Sequence, residues 1–185
     1  QTGQDLYLCS GVTPDLAYGQ LGVAAYTIEM GTAFFQSCSS FESTIYPANL
    51  QALLYAAKVV RTPYMTPSGP DAINLALSEA EVIVGQNPTL SATINDTRYS
   101  SRNGSEPVQT ISQAEYYIDT PPWISGATAI PMAAADGSFN SSMEAVTTVV
   151  ATSGLTQGRH TLFIRGKDQA GNWGAVSAIF LTVLR

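Results

Sequence analysis

The chain has 185 residues, with 8 Lys and Arg against 14 Asp and Glu, a formal charge of −6 at pH 7. So acidic a chain lacks the clustered cations that displace counterions from a phosphate backbone, which excludes a nucleic-acid partner. Its 45% apolar content supplies a sizeable core, and there is no run of about 18 apolar residues to span a membrane. No basic stretch followed by an apolar one opens the sequence, so no signal peptide is legible.

The first element in chain order is Val23-Ala24-Ala25-Tyr26-Thr27-Ile28, a short and nearly all-apolar run. Such a run predicts a strand covered on both faces. It ends on Glu29, which places a carboxylate at the mouth of the strand. Pro47 suits a first helical position, where its missing N–H costs nothing. Leu50, Leu53, Leu54, Ala57 and Val60 then recur at helical spacing as one apolar stripe, and Pro63 ends it.

Three prolines and a glycine between Arg61 and Asp71 break regular structure. Residues 1–62 therefore read as one unit, 63–80 as a linker with a turn of helix at 72–79, and 81–185 as a second unit. That second unit carries strand-like runs at Thr89–Asn95, Thr110–Asp119, Ala145–Thr152, Arg159–Arg165 and Ala178–Leu184. Asn103-Gly104, Asp136-Gly137, Gln157-Gly158 and Ala170-Gly171-Asn172 separate them as turns. Short strands punctuated in this way predict an all-β sandwich of immunoglobulin or fibronectin type III character, with Trp123 and Trp173 as large apolar anchors. Asn95, Asn103 and Asn140 head glycosylation-like triplets and are read as turn residues.

Two cysteines, Cys9 and Cys38, and one histidine, His160, cannot supply the four ligands of a complete Cys/His zinc site. Any Ser-His-Asp arrangement would depend on His160. It lies in an alternating strand-like run and is expected to face solvent.

Residues Tyr18-Gly19-Gln20-Leu21-Gly22-Val23-Ala24-Ala25-Tyr26-Thr27-Ile28-Glu29-Met30-Gly31-Thr32, followed by Tyr46-Pro47-Ala48-Asn49-Leu50-Gln51-Ala52-Leu53-Leu54-Tyr55-Ala56-Ala57, carry a resemblance. The stretch from Tyr7 to Tyr64 resembles the C-terminal end of the catalytic domain of zinc metallocarboxypeptidases of the carboxypeptidase A and T type, above all the secreted bacterial members. The resemblance implies an α/β remnant in which Glu29 is the catalytic general base and acid. It implies that Tyr7, 22 residues before Glu29, is the mobile tyrosine that clamps substrate. Pro14 and Asp15 fall where the family sets side-chain preference. The zinc ligands, a His-x-x-Glu pair and a later His, lie upstream of the tyrosine in that family. The chain alone is therefore expected to hold no zinc and to be inactive. Its expected partners are the upstream part of the catalytic domain or copies of itself, with peptide as substrate of the intact enzyme.

A bridge between Cys9 and Cys38 is a disulfide candidate that would suit an exported enzyme, and two separate thiols are the alternative. The run from Gly158 to Gly174, Gly-Arg-His-Thr-Leu-Phe-Ile-Arg-Gly-Lys-Asp-Gln-Ala-Gly-Asn-Trp-Gly, resembles the end of immunoglobulin-like modules appended to bacterial exoenzymes. The combined expectation is a secreted, extracellular protein: an α/β remnant followed by an all-β immunoglobulin-like sandwich. The alternative function is a processed, self-assembling structural protein, or a module that binds cell wall or carbohydrate.

Overall fold

A computed structural model of the chain describes residues 11–63, 65–97 and 107–185. The described residues divide into two compact units, 11–63 on one side and 65–97 with 107–185 on the other.

The first unit is helical where it is regular. Helix α1 (Thr13–Leu21) starts with Pro14 in its first turn, where a missing N–H costs nothing. The Asp15 carboxylate turns back to accept the Gly11 N–H at 2.8 Å and the Val12 N–H. The helix ends at Gly22, whose φ of 64° lets the chain turn left-handed while the Gly22 and Val23 N–H groups donate to the Tyr18 and Ala17 carbonyls. The turn α2 (Cys38–Ser40) is capped by Ser37, whose Oγ accepts the Ser40 N–H at 3.1 Å. A π-helical turn (Phe41–Ile45) leads into α3 (Tyr46–Val59), with Pro47 in its first turn and Lys58 in its last.

The expected strand is not formed. Residues 23–28 adopt no regular secondary structure, and Val23, Tyr26 and Ile28 are exposed. Among the described residues of this unit there is no strand at all, so nothing offers the run a hydrogen-bonding ladder on either side. An α/β remnant is therefore not what this unit is. The helix at Pro47 does form, and yet Leu53 and Leu54 of its apolar stripe stand half exposed.

The second unit is a mixed sheet of eight strands. These are β1 (Asp71–Leu77), β2 (Glu81–Ile83), β3 (Thr89–Asn95), β4 (Ile111–Ile118), β5 (Ile130–Ala134), β6 (Met143–Val149), β7 (Gly158–Asp168) and β8 (Ser177–Leu184). Their order is β1-β3-β6-β5-β4-β7-β8-β2, with β2 parallel to β8 and every other pairing antiparallel. The decisive strand is β5. Its residues Ile130–Met132 pair with β4, while Ala133 and Ala134 pair with β6. That handover keeps the ladder continuous around the corner. The expected sandwich of two separate sheets is thus replaced by one sheet curled over its own core.

The core follows from strand alternation. Along β7, His160, Leu162, Ile164, Gly166 and Asp168 are buried while the residues between them are not. Leu162 and Ile164 join Leu90, Ile94, Ile111, Tyr116, Val146 and Leu181 in one cluster drawn from across the sheet. The layers approach so closely that a Cβ on Gly166 would lie 2.2 Å from Ile94 Cγ2. At the sheet edges, β2 is three residues long, and β1 is broken by a bulge between Ile73 and Ala76, where Asn74 has φ 52°. Both devices discourage pairing with another chain. Residues 72–77, expected as helix, are strand because Ala72 and Leu77 find partners in Ile94 and Leu90.

Candidate functional site

Two polar clusters of the second unit stand out from its apolar background. The first centres on His160. Sequence alternation placed this ring in solvent, but it is buried, at 6% exposure. The odd-numbered residues of β7 face outward and the even-numbered ones inward, so His160 falls in phase with Leu162 and Ile164. Its Nδ1 lies 2.7 Å from Asp119 Oδ2, and its Nε2 lies 2.8 Å from the Thr156 carbonyl oxygen. Asp119 Oδ1 also accepts the Thr161 N–H at 2.8 Å. These contacts raise the His160 pKa above its ordinary range. The Thr156 carbonyl acts first and the hydrogen bond to Asp119 second; burial opposes them, and the Asp119 charge adds to the rise. Both ring nitrogens face protein oxygens, so neither is turned toward a substrate hydroxyl. The imidazole is no general base for a Ser-His-Asp reaction.

The second cluster lies on the outward face of β4 and β7, where Glu115 and Arg165 are cross-strand partners. The Arg165 Nε donates to Glu115 Oε1 at 2.8 Å, and Nη2 reaches the same oxygen at 2.7 Å. Nη2 also donates to the Tyr117 hydroxyl oxygen at 2.8 Å, and that hydroxyl donates to Glu115. Gln113 Nε2 donates to the second carboxylate oxygen at 3.2 Å. The guanidinium lies 4.0 Å over the Trp173 ring, and the Lys167 ammonium sits 5.4 Å from it. Burial, followed by the hydrogen bond to Glu115, pushes the Tyr117 phenol upward, and Arg165 pulls against that. The network closes on itself, which clamps two strands and offers no reactive atom. Trp173 anchors through this cation contact, whereas Trp123 is nearly half exposed and meets Phe163 edge-on at 6.2 Å.

The residues singled out from the sequence are not brought together. Glu29 is exposed in the irregular segment after residue 28. Tyr7 and Cys9 lie outside the described residues. Cys38 opens α2 as an exposed free thiol, so no bridge to it is formed here. Asp15 caps α1 and is thereby committed to backbone, which leaves it unsuited to reading a substrate side chain.

A zinc ion does not fit the described residues. Among them no three His, Cys, Asp or Glu side chains gather where a metal could sit. The single imidazole has both nitrogens taken by Asp119 and Thr156. No helix among the described residues is long and apolar enough to cross a membrane.

The His160 and Glu115 clusters each carried a sequence signal that alternation alone could not read. Glu115 and Arg165 are oppositely charged residues on two predicted strands, but which positions oppose is a matter of register.

Comparison with known proteins adds no family. No protein-family model matches the chain, and no curated protein matches it. Among solved structures the chain is similar to a mutant SrpA adhesin from Streptococcus sanguinis, with 12% identity, 62% of this chain and 58% of that one covered, and a TM-score of 0.34. It is similar to the alkylpurine DNA glycosylase AlkC of Pseudomonas fluorescens, solved bound to DNA containing an abasic-site analogue. That match has 13% identity, covers 78% of this chain and 40% of that one, and has a TM-score of 0.40. It is also similar to an endo-β-1,4-mannanase from Thermotoga petrophila, at 11% identity, 84% and 30% coverage, and a TM-score of 0.36. The chain spans less than two thirds of each of these three chains. Likeness at this level carries no argument about function.

Proposed function

We propose that the chain is the C-terminal part of a secreted zinc carboxypeptidase, an extracellular hydrolase that removes C-terminal residues from peptides. Glu29 is its general base and acid, and Tyr7 its substrate clamp. The observation that carries this reading is the Tyr26-Thr27-Ile28-Glu29 segment, set between Gly22 and Gly31 and followed by the helix that begins at Pro47.

The exposure of the first unit supports it. Val23, Tyr26, Ile28 and Met30 form an apolar run that its own unit leaves in solvent. Such surface calls for a covering segment, and the upstream part of a catalytic domain would provide one. In this reading the zinc ligands belong to polypeptide outside these 185 residues, and the chain alone is inactive. The part played by this chain's own carboxylate is proton transfer. Glu29 takes a proton from the attacking water as the C–O bond forms, and gives it to the amine as the C–N bond breaks. Exposed as it stands, Glu29 is poorly placed for that work, and covering its segment would bring it into the dry setting that such a carboxylate needs.

The test uses the protein encoded by the whole reading frame that contains this chain. Release of the C-terminal amino acid from blocked dipeptides is measured with zinc present. Glu29→Gln is expected to lower kcat by about a hundred- to ten-thousand-fold at unchanged zinc content. If the intact protein releases no C-terminal residue, or if Glu29→Gln retains full activity, the proposal fails.

A further inference from the structure

His160 is the one histidine of the chain, and the fold surrounds it with acceptors. Asp119 Oδ2 faces Nδ1, and the Thr156 carbonyl oxygen faces Nε2. A neutral imidazole carries a single N–H and can donate to one of them only; the other contact would set a lone pair against an oxygen. The imidazolium satisfies both. Because the ring is buried, water does not readily replace a lost partner.

The two acceptors belong to different connections of the sheet. Asp119 follows β4 and opens the 119–129 connection, which carries Trp123. Thr156 lies in the connection between β6 and β7. Asp119 has φ 59°, a left-handed conformation that non-glycine residues seldom adopt. Its backbone N–H donates to the Thr161 carbonyl and its Oδ1 accepts the Thr161 N–H, both at 2.8 Å, so β7 holds it in place.

We propose that His160 is a proton-operated latch. In its charged form it links the connection after β4, through Asp119, to the connection before β7, through Thr156, and loss of the proton breaks that link at one of its two ends. The remaining surroundings do not compete for the ring. Its partner on β8 is the apolar Leu181. On β7, Arg159 alternates to the other face, with its guanidinium 4.6 Å over the Phe180 ring. Asp119, half exposed, is the charged group that pairs with the ring from the β4 side.

The sign follows from the direction of the shift. Contacts that raise the folded-state pKa contribute fully below the unfolded value of about 6.5, and that contribution is lost as pH rises through the raised value. The latch is shut in acid and loosens toward alkaline pH. Trp123 reports it, because its ring packs edge-on against Phe163 of β7.

The experiment labels the full chain with 5-fluorotryptophan and follows both fluorine resonances against pH, Trp123 being assigned from Trp123→Phe. The His160 ring nitrogens are followed in parallel by long-range proton–nitrogen correlation. The expected result is a ring midpoint above 6.5, with the Trp123 resonance moving at the same midpoint and the Trp173 resonance still. Asp119→Asn tolerates the left-handed backbone and is expected to lower both midpoints together. In His160→Gln, which has no ring to titrate, the Trp123 resonance is expected to lose that pH dependence. A ring midpoint at or below 6.5 overturns the latch, and so does a Trp123 resonance that stays constant while the ring titrates.

Discussion

Residues 11–63 and the eight-stranded sheet contain similar apolar side chains and end in opposite states. Phe34 and Phe35 stand almost wholly in solvent, and Leu53 and Leu54 are half exposed, whereas Leu90, Ile94, Ile111, Leu162 and Ile164 have no exposed surface. What separates them is long-range pairing. Each strand of the sheet pairs with at least one other, the interior ones on both sides, and the curl of the sheet brings one inner row of side chains against another. Segment 23–30 has no strand beside it among the described residues of its own unit. Hydrophobicity supplies the drive, but a ladder is needed to give it somewhere to go.

The largest expected contrast comes from truncating side chains in the two regions. Ile164→Ala is expected to lower the stability of the sheet by about 2–5 kcal/mol in denaturant titration, because it opens a cavity in a packed core. Leu53→Ala in α3 is expected to change it by about 0.5 kcal/mol or less, as surface substitutions do. Equal losses at the two sites would remove the distinction. Next in size is Glu115→Ala, which leaves the Arg165 guanidinium and the Tyr117 hydroxyl without their shared acceptor. The expected cost is about 3 kcal/mol, the low end for breaking a buried pair, since Arg165 keeps partial access to water.

A smaller effect is the pH dependence carried by His160. Unfolding midpoints of the wild type are expected to fall as pH rises above the ordinary histidine range, and those of His160→Gln are expected to fall less. If the variant shows the same slope, another group is responsible. The mildest probe is chemical. Alkylation without reductant is expected to label Cys38, which has an exposed thiol in the helical region, and failure to label it would point to the candidate bridge with Cys9.

Part of this fold was legible at the level of residues. Thr89–Asn95, Arg159–Arg165 and Ala178–Leu184 read as strand-like runs, and they lie within β3, β7 and β8. Pro47 and the spacing of Leu50, Leu53 and Leu54 likewise announced α3. The strand β5 gave no such signal. Pro131 and two alanines follow Ile130, and the segment is a strand only because it bridges β4 and β6. The short β2 depends in the same way on its place beside β8. The run at 23–28 failed in the other direction: it has the composition of a buried strand and lacks the partners that would make it one.

The clusters of the second unit divide along the same line. His160 was expected in solvent, yet it shares the buried face of β7 with Leu162 and Ile164, because which of the two faces is covered depends on how the sheet curls. Pairing Glu115 with Arg165 required the register between β4 and β7, set between positions 50 residues apart in the chain.

By itself the amino-acid sequence determined the charge balance, the alternating strands, the Pro47 helix and the Tyr-Thr-Ile-Glu segment on which the peptidase proposal rests. Those are local properties, written in neighbouring residues through side-chain period and backbone preference. Tertiary structure alone decided that the sheet is continuous through β5, that His160 is buried between two acceptors, and that residues 23–28 remain outside any ladder. Each of these depends on which distant segments meet, and contact between distant segments is not encoded in local periodicity.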